Sequence, residues 1–226
     1  MKKFALNLSA VVVFAASVVA SQSSAIAGSI FYTAHVDPQA TSFSTPVGLN
    51  RFDTSLGTLT DVTISFTANI VAEVDVFNST GSSKAFTNAH ATIPVSVVGP
   101  DGSKASGLAV AGPFNGTALV GFNAFTGITG STSGSDIVAS SSWSQYEGSG
   151  LALLTFNFNG DTGTFAGSAN NGVFFGGSAT ASGDVKVTYT YNPPAVPEPS
   201  TFALMGLGGV GLAIGTYRRR QAAAGV

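Results

Sequence analysis

Apolar side chains fill every even position between 62 and 76 (Val62, Ile64, Phe66, Ala68, Ile70, Ala72, Val74 and Val76). Between them stand Thr63, Ser65, Thr67, Asn69, Glu73 and Asp75, with Val71 the single exception. A period of two places alternate side chains on opposite faces of a strand, and no helix gives that pattern. One face is buried and the other wet, as in antiparallel sheets that pack on one side. At roughly 3.3 Å per residue the run would reach ~50 Å, well beyond a common strand. A bend or a crossover between sheets is therefore expected near Asn69.

Further strands follow the same rule. Residues 29–36 open the series. Residues 91–98 carry Ile93, Val95 and Val97 and end at the turn Gly99-Pro100-Asp101-Gly102. Residues 117–125 are apolar on both sides and read as one fully buried strand. Residues 151–159 alternate through Ala152, Leu154, Phe156 and Phe158, then turn at Asn159-Gly160-Asp161. Residues 184–191 set Val185, Val187, Tyr189 and Tyr191 against Lys186, Thr188 and Thr190. No part of 28–192 has the 3.6-residue period of an amphipathic helix. The expected fold is all-β, an antiparallel β-sandwich of jelly-roll type, in one domain over 28–192.

The ends of the chain follow different rules. Met1, Lys2 and Lys3 precede an apolar run over 4–20, and Ala25 and Ala27 supply the small residues a signal peptidase reads. Residues 1–27 thus read as a secretory signal peptide cut after Ala27. Residues 193–200 are a proline-rich linker. Residues 201–217 contain no charged side chain but hold Gly206, Gly208, Gly209, Gly211 and Gly215. Their length is at the short limit of the ~20 apolar residues a spanning helix needs. A basic tail, 218–226, begins with Arg218, Arg219 and Arg220, which stay cytoplasmic by the positive-inside rule and leave the body outside the inner membrane.

Composition narrows the chemistry. Charged residues make up 9% of the chain and hydrophobic ones 44%, the reverse of a disordered composition. There is no cysteine, so neither a disulfide nor a thiol nucleophile is available. Residues 28–192 carry four cations (Arg51, Lys84, Lys104, Lys186) against ten acids, a net of −6. Four scattered cations cannot form the basic stripe that nucleic acid requires.

Individual candidates are few. His35 and Asp37 share a strand face and could pair on a metal, but His90 is the only other imidazole. Glu73 and Asp75 share the wet face of the long strand, without the opposed placement a glycosidase needs. Asp101, Asp136 and Asp161 lie in turns from which loop oxygens could hold Ca²⁺, although no EF-hand spacing is present. Gly148-Ser149-Gly150 lacks the context of a nucleophile elbow. Trp143 and Tyr146 could stack on a sugar ring if exposed, or serve the core if not. No acid, base and nucleophile come together, so no enzyme, metal centre or cofactor is expected.

Two stretches resemble known families. The triplet Pro197, Glu198, Pro199, the short glycine-rich apolar segment and Arg218–Arg220, in that order, resemble the PEP-CTERM sorting domain of exported proteins in exopolysaccharide-producing Gram-negative bacteria. The resemblance implies processing near the triplet by an exosortase and delivery to the cell surface or matrix. The phrase RFDTSLGTLTDVTIS (51–65) and the closing VKVTYTYNPP (185–194) resemble the choice-of-anchor E domains, exported β domains with varying C-terminal anchors. Two functions remain open: a non-catalytic surface or matrix protein associated with exopolysaccharide, or a displayed carbohydrate-binding module. The implied partners are signal peptidase, exosortase and, transiently, the inner membrane.

Overall fold

The computed structural model describes residues 27–149 and 151–194, together with positions 205, 206, 208–210, 212, 216 and 219, which are helical. The described residues form eleven strands: β1 (Gly28–Ala40), β2 (Phe43–Asn50), β3 (Phe52–Asp53), β4 (Thr58–Asn78), β5 (Lys84–Val98), β6 (Lys104–Ala118), β7 (Gly121–Ile137), β8 (Glu147–Gly148), β9 (Leu153–Gly160), β10 (Thr164–Ala169) and β11 (Val173–Asn192). Short 3₁₀ turns lie at Thr54–Leu56 and Ser140–Gln145.

The strands pair as a set of nested hairpins. β5 pairs with β6, β4 with β7, β2 with β9, and β1 with β11, all antiparallel. One sheet runs β1-β11-β4-β7. In the other, β6 occupies one edge of β5, while β9 and β10 follow each other along the opposite edge, and β2 lies outside β9. This nesting, rolled into two sheets, is the order of a jelly roll. β3 and β8 add a short parallel pair, Phe52 opposite Glu147.

The even positions of the long run face inward as expected. Val62, Ile64, Ile70, Val74 and Val76 are fully buried, as are Val185, Val187 and Tyr189 of β11 and Ile93, Val97, Phe156 and Phe158 of the facing sheet. Aromatic rings join the two layers: Phe66 of β4 meets Phe158 of β9 edge-on at 6.2 Å, and Phe86 of β5 meets Phe125 of β7 at 5.3 Å. Such offset pairs add about 0.5–1.5 kcal/mol each beyond their buried area. At one margin β6 and β7 come so close that a Cβ at Gly134 would lie 2.6 Å from both Phe66 and the Ser106 carbonyl.

Two expectations are corrected. β4 neither bends out of its sheet nor crosses over near Asn69: its 21 residues stay in one layer, Asn69 paired with Ser182 on one side and Ser131 on the other. The strand can be this long because β11 and β7 run beside it for most of its length and satisfy its backbone. Residues 117–125 are not one buried strand. The chain turns between Ala118 and Gly121, leaving Leu119 and Val120 exposed. The Asn123 side chain fixes that turn, accepting from the Leu119 N–H (3.0 Å) and donating to the Leu119 carbonyl (2.9 Å).

Among the described residues no helix is long and apolar enough to cross a membrane. Most of the span expected over 201–217 lies outside the described residues. So do Ala25 and nearly all of the expected signal peptide, Pro197, Glu198 and Pro199, and Arg218 and Arg220.

Candidate functional site

Both ends of the body leave it at one end of the roll. Gly28 pairs with Tyr191, and Asn192 pairs with Thr58. The two stretches that carry the choice-of-anchor resemblance meet there. Phe52, fully buried, packs on Tyr189 (5.8 Å) and Tyr191 (5.3 Å). Asp53 caps the following 3₁₀ turn by accepting from the Ser55 N–H at 2.9 Å. Gly57 then passes against the backbone of Asn192 at φ +145°, where a Cβ would collide with the Asn192 carbonyl. Tyr189 completes the knot by donating to the Asn50 carbonyl at 3.0 Å. These contacts brace the last strand just before the linker.

The opposite end of the same sheet carries an exposed aromatic row. Phe174, Phe77 and Phe122 are cross-strand neighbours on β11, β4 and β7, all solvent-facing, with Leu119 and Val120 beside them in the sequence. At about 3.3 Å per residue, β4 sets this row ~65 Å from the end where the chain leaves.

Between these ends the outer face of the β1-β11-β4-β7 sheet is polar. Thr33, Lys186, Ser65 and Ser135 form one row across the four strands, and His35, Asp184, Thr67 and Ser133 form the next. All of these except His35 line, with Phe66 and Gly134, an open groove of about 490 Å³. Its two charged groups are held in place. His35 Nδ1 lies 2.8 Å from Asp184 Oδ1, and the Lys186 ammonium sits 5.2 Å from the centre of the Phe31 ring. Sequence reading had coupled His35 to Asp37. That carboxylate is 3.8 Å from Nε2, and the closer partner, Asp184, comes from a strand 149 residues away.

The remaining candidates are dispersed. Of the two readings left open for Trp143 and Tyr146, their burial favours the core. Tyr146 is fully buried, its ring 6.3 Å from that of Phe156, so it offers no face to a ligand. Trp143 is half-buried against the core and donates Nε1–H to the Val138 carbonyl at 3.1 Å. The 3₁₀ turn at Ser140–Gln145 folds both rings inward. Asp101 spends its oxygens on the Ser103 N–H (3.2 Å), the Ser103 hydroxyl (2.6 Å) and the Tyr146 hydroxyl (2.5 Å). Burial pushes the Asp101 carboxyl up, but these hydrogen bonds together outweigh it and hold the group below the usual aspartate range. Asp136 accepts from the Lys104 N–H at 2.9 Å, and Asp161 stands exposed in the β9–β10 turn. Glu73 faces Ser178 across the sheet, and Asp75 faces Gly176 and Ala124, so neither opposes a second carboxylate. His90 Nδ1 is engaged with the Asn88 carbonyl at 2.8 Å. Among the described residues no three His, Cys, Asp or Glu side chains are placed to hold a metal ion.

A family model for the PEP-CTERM protein-sorting motif matches residues 195–220. The chain thus carries that motif immediately after its β body. The motif implies export, surface sorting and an exosortase as processing partner. No curated protein matches the chain. Among solved structures, it is similar at 10% identity to a chain of the infectious bursal disease virus Gt strain, over 81% of this chain and 47% of that one, with a TM-score of 0.16. A chain of the Gx strain of that virus gives 11% identity over 80% and 48%, with the same TM-score. The VP2 subviral particle of the virus gives 10% over 81% and 48%, again at 0.16. The chain spans about half the length of these viral chains, and at that TM-score the likeness carries no weight.

Proposed function

We propose that this chain is an exported, non-catalytic protein of the cell surface or extracellular matrix, associated with exopolysaccharide. Its jelly-roll body is what the sorting apparatus delivers. One observation carries the reading: a PEP-CTERM motif at 195–220 follows directly on the last strand of an all-β body. In this reading signal peptidase cuts after Ala27, residues 201–217 cross the inner membrane as a helix, and Arg218–Arg220 hold the cytoplasmic side until exosortase acts near Pro197–Pro199. The body is of the choice-of-anchor E type. Its support is the packing of 51–57 against 189–192, which ties the two resembling stretches into one unit.

The test is the C-terminal peptide and intact mass of the protein recovered from its host, from both envelope and medium. A form ending near Pro197–Pro199 is expected. A form that keeps Arg218–Arg220 would make the tail a plain membrane anchor and remove the matrix reading.

A second function, a displayed carbohydrate-binding module, is favoured by the hydroxyl-lined groove on the outer sheet face. It no longer draws on Trp143 and Tyr146.

A further inference from the structure

We propose that this groove is a binding site for a neutral polysaccharide chain, an inference that rests on the exopolysaccharide association above and gives it a location. The lining explains the ligand class. Thr33, Ser65, Thr67, Ser133 and Ser135 present hydroxyls, each able to donate and to accept. A glycan presents the same kind of group, so donors and acceptors can be matched whichever way each hydroxyl turns. Neighbouring strands set these groups ~4.8 Å apart, a step on the order of one pyranose ring.

The two charges in the groove are pre-oriented rather than free. Asp184 is fixed by His35, and Lys186 by the Phe31 face. A polar group already held in place loses little entropy when a ligand arrives. Phe31 itself is 60% exposed and lies beside Lys186, an apolar ring next to the groove to which a sugar can offer its C–H face. The volume, about 490 Å³, falls within the ~300–1,000 Å³ of ligand sites.

Charge decides against the alternatives. A body with a net charge of −6 repels a uronate- or sulfate-rich chain, and one lysine beside one aspartate leaves no positive field in the groove. A protein partner would call for buried aromatic or arginine anchors. The one aromatic among the groove's lining residues, Phe66, is 2% exposed and belongs to the core, and no arginine lines the groove.

The experiment is affinity electrophoresis of the mature protein from its host, in native gels containing the host's extracellular polysaccharide separated by anion exchange into neutral and acidic fractions. Retardation by the neutral fraction is expected. The double variant Thr67→Val/Ser133→Val should weaken it at least tenfold, and Asp184→Asn several-fold. Trp143 fluorescence checks that each variant is folded. Absence of retardation, retardation by the acidic fraction alone, or retardation that both variants retain overturns the groove. None of these outcomes touches the sorting reading, which stands or falls on the C-terminal mass.

Discussion

The Tyr146 hydroxyl donates to Oδ1 of Asp101 at 2.5 Å, joining the 3₁₀ turn after β7 to the turn between β5 and β6. Two connections at the margin of the roll are thereby tied through one carboxylate. Tyr146→Phe keeps the ring and removes the link. It is expected to cost about 1.5–3 kcal/mol, the range for a hydrogen bond to a charged group, read as a lower urea midpoint with unchanged slope.

The same pair sets an acid response. The Asp101 carboxyl is held below its ordinary value, so below about pH 4 the unfolded chain takes up its proton first. The stabilisation is complete above that pH and is lost as pH falls through the folded pKa. Asp53, lowered by the Ser55 backbone hydrogen bond, acts in the same direction. In Tyr146→Phe the fall in stability below pH ~4 should be shallower, measured by urea unfolding at a series of acid pH values.

At the alkaline end the relevant groups are Tyr146 and Tyr189. Burial raises both phenols far above the tyrosine range, helped by the Asp101 hydrogen bond and charge at Tyr146 and by Tyr32 at Tyr189. Raised folded values stabilise the protein fully below the unfolded value near pH ~10, and that contribution is lost above it. The two should therefore ionise only with unfolding. Absorbance at the phenolate band and circular dichroism should change together for these residues. A phenolate step assigned by Tyr189→Phe that precedes loss of dichroism would refute this.

Trp143 is a structural residue by its contacts. Trp143→Ala should destabilise the fold by less than the ~3–5 kcal/mol that truncating a fully buried aromatic costs, because Trp143 is only half-buried. Trp143→Phe should cost less and leave polysaccharide retardation intact. Loss of retardation in a folded Trp143→Phe protein would return the binding face to the 3₁₀ turn.

The centre of the core can be probed at Phe158. Its ring lies between Phe43 at 5.8 Å and Phe66 at 6.2 Å, and it is fully buried. Phe158→Ala should cost about 3–5 kcal/mol and Phe158→Leu clearly less, because leucine leaves a smaller cavity. Chemical denaturation of the two variants side by side decides it.

How far the sequence could be read depended on distance along the chain. The strands at 62–76, 91–98 and 184–191 were legible because alternation is a local property of the backbone. The unbroken length of β4 was not, because strand length is set by the neighbours that satisfy its backbone, and β11 begins nearly a hundred residues later. The turn at Leu119–Val120 was hidden because its fixing group, Asn123, follows the apolar pair it caps. The choice between an exposed and a core Tyr146 stayed open, since nothing nearby reveals that Asp101 and Phe156 enclose it. The groove was least visible of all. Its serines and threonines read one at a time as ordinary wet positions, and only the register of four strands shows that they form rows.

The place of β11 also governs when this molecule can fold. It is the last strand to be made, yet it lies between β1 and β4 in its sheet. Until residue 192 has passed the export channel, β1 has no partner in that sheet and β4 lacks one of its two. Such long-range pairing is slow and cannot begin early. Export machinery that threads extended chains therefore meets a body whose β1-β11-β4-β7 sheet cannot close until its last strand has followed.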